Sequence, residues 1–299
     1  MTIAIASNVG PSRIDIAYER LGEPSAPPVV LVMGLGAQLI AWPDGFCDEL
    51  VRRGVQLVRF DNRDAGESTH FTGAPDFAAA LAGDYASAAY TLSDMAADTV
   101  GLLDALAIDS AHVVGASMGG AIAQTIAIES PRRVRSLVSM MSTTGDRAVG
   151  QPHAVTRSVF TGAPATTRDE VVQRFVDASR VLGSPGFPRD EAAVALRAGR
   201  EFDRAFDPGA MVRQAVATLA SGDRTQQLAG VRVPALVIHG AADPMCDVGG
   251  GRAVAAAIPG AELLVIDGMG HDLPRAVWPE LATRIAEIVA RGEAVMLRA

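Results

Sequence analysis

The sequence predicts an α/β fold, with a mostly parallel sheet and helices on both of its faces. Three observations carry that expectation. Short apolar, β-branched runs alternate with longer helical patterns along most of the chain. Most of these runs are continuously apolar rather than alternating, as strands buried on both faces are. One stretch, residues 145–228, contains helical patterns and no convincing strand, so it reads as an insertion between two strands of the sheet.

The elements follow in chain order. Ile14–Ala17 reads as an early strand, and Val29–Met33 (VVLVM) as a buried one after a proline turn. Val55–Phe60, Ala111–Gly115, Val134–Met140, Ala235–His239 and Glu262–Ile266 repeat that pattern. Between them, Leu92–Leu106 brings Met95, Val100, Leu103 and Leu106 near one helical face. Gly119–Ile128 is small and apolar throughout, as a buried helix is, and Arg275–Ala290 reads as the last helix. Inside the insertion, Asp169–Leu182 and Asp190–Phe206 are amphipathic and separated by glycine-proline clusters. The expected organisation is a core from residues 1–144 and 229–299, with a helical cap at 145–228.

Bulk properties exclude several function classes. Hydrophobic residues make up 49% of the 299, enough for a sizeable core. A formal net charge of -8 offers no electrostatic case for binding nucleic acid or an anionic membrane surface. Cys47 and Cys246 have no CxxC partner, which fits reduced thiols in a cytoplasmic protein better than a zinc site or a disulfide framework. The N-terminal MTIAIASNVGPSR lacks the basic and apolar regions of a signal peptide. No run reaches the roughly 18 apolar residues that a membrane span needs.

Gly115-Ala116-Ser117-Met118-Gly119 matches G-x-S-x-G, between the strand AHVVG and the helix GGAIAQTIAI. A serine on such a strand-to-helix turn sits in a strained backbone conformation that flanking glycines permit. Its hydroxyl projects above the sheet, and the Met118 N–H at the helix start is placed to meet a developing oxyanion. A serine needs a base. Of the five histidines, His112 and His239 lie in strands, His70 in a polar loop and His153 in the insertion. His271 follows the strand ELLVI within Gly268-Met269-Gly270-His271-Asp272, at the sheet edge where α/β proteins build their sites. Asp243, after the strand ALVIH, is the candidate acid that orients it. Asp247 and Asp272 compete. Asp247 lies near the start of a helix, where capping accounts for it, and Asp272 adjoins His271, whose side chain should point elsewhere. Met33-Gly34-Leu35-Gly36 follows the strand VVLV, so the Leu35 N–H is the candidate second oxyanion donor. Gly34 and Trp42 are candidate substrate contacts, and Leu39 and Trp42 fit equally well as buried structural residues.

Together these residues resemble the α/β-hydrolase superfamily. The match rests on Met33-Gly34-Leu35-Gly36, on Asp61-Asn62-Arg63-Asp64-Ala65-Gly66-Glu67-Ser68, on Gly115–Gly119 and on the Asp243/His271 pair. LVMGLGAQLIAWPDGF followed by VRFDNRDAGEST is similar to the aclacinomycin methylesterase branch, and also to mycobacterial lipases and esterases of the LipG type. The resemblance implies the α/β-hydrolase fold: eight mostly parallel strands and a helical cap inserted after strand 6. It also implies a Ser117–Asp243–His271 triad that acts through an acyl-enzyme on a small-molecule acyl substrate, with no metal or organic cofactor. Two positions depart from the family pattern. Met33 replaces the usual histidine of the oxyanion turn, and Asp64 replaces a glycine in a loop that is structural in the family. A serine nucleophile argues against dehalogenase or epoxide hydrolase chemistry, for which the relatives use aspartate. Thioesterase, lactonase, C–C hydrolase and perhydrolase chemistry share the machinery, and a non-catalytic small-molecule binding protein is the alternative of a different class.

Overall fold

Strand β3 (Pro28–Val32) shows why the sheet must be covered twice. From Val29 to Val32 the side chains alternate between faces, and both sets are apolar and fully buried. Val30 and Val32 pack with Leu92, Leu102, Leu103, Ile122 and Ile126 on one side. Val29 and Leu31 pack with Phe46, Leu50, Leu281 and Ile285 on the other. Burying such a side chain contributes about 1.5–3 kcal/mol each, which drives helices onto both faces.

The structure is a computed structural model that describes residues 3–160 and 165–297. Its other strands are β1 (Ala4–Val9), β2 (Ile14–Leu21), β4 (Gln56–Phe60), β5 (Ala111–Ala116), β6 (Val134–Met140), β7 (Ala235–Gly240) and β8 (Glu262–Ile266). They form one eight-stranded sheet in the order β1-β2-β4-β3-β5-β6-β7-β8. The β1/β2 and β2/β4 pairs are antiparallel, and the pairs from β4/β3 through β7/β8 are parallel. The register Val32↔Gly115, Ala116↔Met140 and Met140↔Ile238 brings the ends of β3, β5, β6 and β7 to one rim.

The helices of the two flanks are α1 (Asp44–Val51), α3 (Leu92–Ala105) and α4 (Met118–Glu129), then, after the insertion, α10 (Val248–Ala257) and α11 (Trp278–Met296), while the short α2 (Phe77–Leu81), between β4 and α3, packs on the insertion. Between β6 and β7 the chain runs through α5 (Arg157–Phe160), α6 (Arg168–Leu182), α7 (Glu191–Arg204), α8 (Ala210–Ala220) and α9 (Thr225–Leu228), with no strand among the described residues. Residues 161–164 of the expected cap lie outside those described. Thr167 and Glu170 form a capping box at the start of α6, and Asp190 caps α7, which sets both starts. Among the described residues no helix is long and apolar enough to cross a membrane.

The structure adds helices that the sequence pattern does not single out, α1, α2, α8 and α10 among them, and it changes three further elements. β1 was not foreseen, because an edge strand with Ile5 half exposed carries no apolar run. β2 runs on to Leu21, where it pairs with β4 through polar positions such as Glu19↔Arg59. The last helix starts at Trp278, after a short 3-10 turn over Arg275–Val277, and continues to Met296.

Candidate active site

Ser117 joins β5 to α4 with φ 57° and ψ -122°, in the left-handed region that L side chains avoid. Such a backbone costs about 1–3 kcal/mol and persists only where its surroundings over-determine it. The surroundings here are crowded backbone. A Cβ at Gly115 would lie 2.0 Å from the Gly119 carbonyl oxygen, and one at Gly119 would lie 2.1 Å from the Val32 carbonyl oxygen. Both glycines therefore serve close approach between β5, α4 and β3. The Ser117 N–H donates to the Met140 carbonyl (2.9 Å), and the Gly120 N–H donates back to the Ser117 carbonyl (2.9 Å).

The loop after β8 brings His271 to this turn. Its Nε2 lies 2.9 Å from Ser117 Oγ, and its Nδ1 lies 2.7 Å from Asp243 Oδ2. A carboxylate only accepts, so Nδ1 carries the proton and Nε2 accepts from the serine hydroxyl. The Asp243 side chain is fully buried. Its other oxygen accepts from the Met245 N–H (2.8 Å) and the Cys246 N–H (2.9 Å), which fix the carboxyl group in place. The structure thus brings Ser117, His271 and Asp243 into one hydrogen-bonded line.

The competing acids point elsewhere. Asp247 caps α10 through the Gly249 N–H (2.8 Å). Asp272 accepts from Ser184 Oγ, and burial pushes its carboxyl up from the usual range. The other histidines also have local partners. His112 is buried between Ser136 and Glu293, and burial pushes its pKa down to about 4. His239 is fully buried, donates to the Cys246 carbonyl (2.7 Å), and is likewise pushed down by burial. His70 lies 3.1 Å from Asp207, and the exposed His153 lies 3.4 Å from Asp247.

The turn Met33–Gly36 lies directly against the serine. A Cβ on Gly34 would be 3.0 Å from Ser117 Cβ and 3.1 Å from the Ala116 carbonyl oxygen. Where the family has histidine, the Met33 carbonyl is held by Asn62 Nδ2 (2.9 Å). The Gly36 N–H is held by Gln214 Oε1 (2.7 Å). Among the described residues, the Leu35 and Met118 N–H groups have no hydrogen-bond partner. Trp42 is fully buried and stacked on Phe46, with ring centroids 6.0 Å apart, in the core face that contains α1 and α11. Leu39 is also fully buried. For both residues this favours the structural of the two readings left open by the sequence.

The insertion reaches this rim at several points. The His271 N–H donates to the Leu182 carbonyl (2.7 Å), and the Gly270 N–H donates to Ser184 Oγ (2.8 Å). Arg204 pairs with Asp61 (2.7 Å) and Glu67 (3.0 Å). Asp64, the residue in place of a glycine, has φ 62° and forms a two-point pair with Arg213 of α8 (2.9 and 3.0 Å). That carboxylate also accepts from the Tyr90 hydroxyl (2.5 Å) and the Phe71 N–H (2.7 Å), which offsets the strain. Sequence reasoning missed Ser184 and Gln214. Neither sits in a motif, and their partners lie 86 and 178 residues away.

A mostly parallel sheet whose rim aligns a serine, a histidine and a buried aspartate, in that spatial order, defines a class of protein, the α/β hydrolases. The chain belongs to it: residues 27–274 match the family model for the alpha/beta hydrolase fold. Rhodomycin D methylesterase of Streptomyces peucetius is 29% identical over 286 residues, which is 89% of this chain and 92% of that protein. The methylesterase branch that the motifs resemble is thus represented among the relatives. Of solved structures, an esterase from Rhodococcus sp. aligns with a TM-score of 0.74 at 19% identity, covering 97% of this chain and 99% of that one. The enol-lactonase of Burkholderia xenovorans aligns with a TM-score of 0.68 at 23% identity, covering 98% and 100%. At these identities the structural likeness speaks to the fold.

Proposed function

We propose that the protein is a serine hydrolase that cleaves a carboxylic ester of a small molecule through an acyl-enzyme. The observation that carries this reading is the unbroken line from Ser117 Oγ through His271 to Asp243, with separations of 2.9 and 2.7 Å. His271 Nε2 takes the Ser117 proton as Oγ attacks the acyl carbon, and the resulting oxyanion accepts from the Leu35 and Met118 N–H groups. His271 then protonates the leaving alcohol. Water, deprotonated by the same imidazole, attacks the acyl-enzyme, and the acid leaves as Ser117 Oγ regains its proton. Asp243 holds the tautomer and offsets the imidazolium charge. Each role is filled by a group of the chain, so the scheme requires no metal or organic cofactor.

The methylesterase relative supports an ester with a small alcohol leaving group. In this reading the helical insertion serves as the cap over the acyl side, and a lipase-like preference for long chains is the alternative within it. The free cysteines Cys47 and Cys246 are what supports a cytoplasmic setting. A fluorophosphonate probe should label the wild type, and Ser117→Ala should abolish labelling. A panel of p-nitrophenyl esters from C2 to C16 should show turnover that Ser117→Ala lacks. A wild type that neither labels nor turns over any ester would overturn the proposal.

A further inference from the structure

We propose that Gln214, on α8 of the insertion, is a positioning residue for the oxyanion turn, holding the Gly36 amide so that Leu35 supplies the donor. The inference rests on the esterase reading above and adds a residue to it. Gln214 is fully buried. Its Oε1 accepts from the Gly36 N–H (2.7 Å), and its Nε2 donates to the Arg63 carbonyl (2.8 Å). An N–H requires the oxygen and a carbonyl requires the nitrogen, so the two partners fix the orientation of the amide. The anchor is firm, because the Arg63 guanidinium is buried and bonded to both oxygens of Asp98 (2.6 and 2.8 Å).

The turn needs such an anchor. It holds two glycines in four residues, and Gly36 sits at φ 69°. Peptides flanked by glycine rotate at little steric cost. A rotation there would change which N–H meets the oxyanion. Asn62 fixes the entry to the turn at the Met33 carbonyl, and Gln214 fixes the exit at Gly36. Met211, also on α8, covers the exit, since a Cβ on Gly36 would lie 3.2 Å from its Cγ. That contact is apolar and has no direction. The Gln214 bond does have one, and by occupying the Gly36 N–H it leaves the Leu35 N–H available.

The test is steady-state hydrolysis of p-nitrophenyl acetate by wild type, Gln214→Met and Gln214→Glu. Losing an oxyanion donor outright costs about 10²–10³ in kcat, so a misaligned one should cost about tenfold to a hundredfold. Gln214→Met should therefore lower kcat by that factor with KM within about twofold, and slow fluorophosphonate labelling in proportion. A folded Gln214→Met with wild-type kcat, or one that changes only KM, overturns the inference. Gln214→Glu keeps it falsifiable if the methionine variant does not fold. A protonated carboxyl offers the same acceptor and donor as the amide, and an ionised one loses the donor toward Arg63. The ratio of Gln214→Glu to wild-type kcat should then rise as pH falls, with Arg63, Asp64 and Arg213 common to both proteins. A ratio that stays flat with pH overturns the inference. A wild type inactive on every ester takes down the esterase reading as well, whereas an active wild type beside an unimpaired Gln214→Met removes this inference alone.

Discussion

The serine turn and the two loops that meet it are held by different parts of the molecule. The turn at Ser117 is fixed by the core alone, through backbone packed on backbone at Gly115 and Gly119 and a hydrogen bond to β6. The loop at His271 and the turn at Leu35 are tied to the insertion, through Leu182, Ser184 and Gln214. The contrast teaches that Ser117 is presented by the fold itself. His271 and the Leu35 turn are presented by contacts that a different insertion would replace. Damage to the first region should appear as lost stability, and damage to the second as lost rate.

The largest expected effect lies on the rate side. Asp243→Asn should leave His271 with the wrong tautomer and lower kcat about ten-thousand-fold, as read from ester turnover at saturating substrate. A loss under tenfold would mean that the aspartate does not orient the base. On the stability side, Gly119→Ala forces a methyl group against the Val32 carbonyl oxygen, 2.1 Å away, and should cost about 2–3 kcal/mol in urea unfolding. An unchanged midpoint would show that the serine turn is less constrained than its geometry indicates.

The seam between core and insertion should also respond to pH. Glu201 of α7 is buried, one of its carboxylate oxygens has no hydrogen-bond partner among the described residues, and burial pushes its pKa up to about 7. Arg197 and Arg204 partly counter that push, while Asp61 adds to it. The folded protein holds this proton more tightly than the unfolded chain does. The associated stability is full in acid and is lost as pH rises through about 7. Glu201→Gln should therefore raise stability at pH 8 by on the order of 2 kcal/mol and have little effect at pH 5. Equal effects at the two pH values in urea titrations would refute this. The smallest effect is expected from Ser184→Ala, which frees the Gly270 N–H and should lower kcat about tenfold while moving stability by about 1 kcal/mol. A stability loss with an unchanged kcat would place Ser184 among the purely structural residues.

The same division explains what could be read in advance. The Ser117 turn was legible because strand, glycine, serine and helix are contiguous. His271 and Asp243 were legible because each follows an apolar strand, and parallel strands that end together place their loops together. The competing acids have local partners instead: Asp247 caps α10, and Asp272 bonds Ser184. Gln214 and Ser184 were not legible, because a polar residue in an amphipathic helix or a glycine-proline loop looks like surface until its distant partner is known. Asp64 could be seen as a departure from the family pattern, but Arg213, which makes that departure tolerable, could not. β1 escaped notice because solvent on one side erased the apolar run that marked the inner strands.

The left-handed backbone at Ser117 has an evolutionary consequence. A glycine would occupy φ 57° without penalty, so the chain should fold more securely with its reactive side chain deleted. Ser117→Gly is expected to melt at a higher temperature than the parent while being catalytically dead, and an equal or lower Tm would refute this. Stability alone would therefore favour glycine at this position, and the serine side chain carries a folding cost that only a use for its hydroxyl would offset.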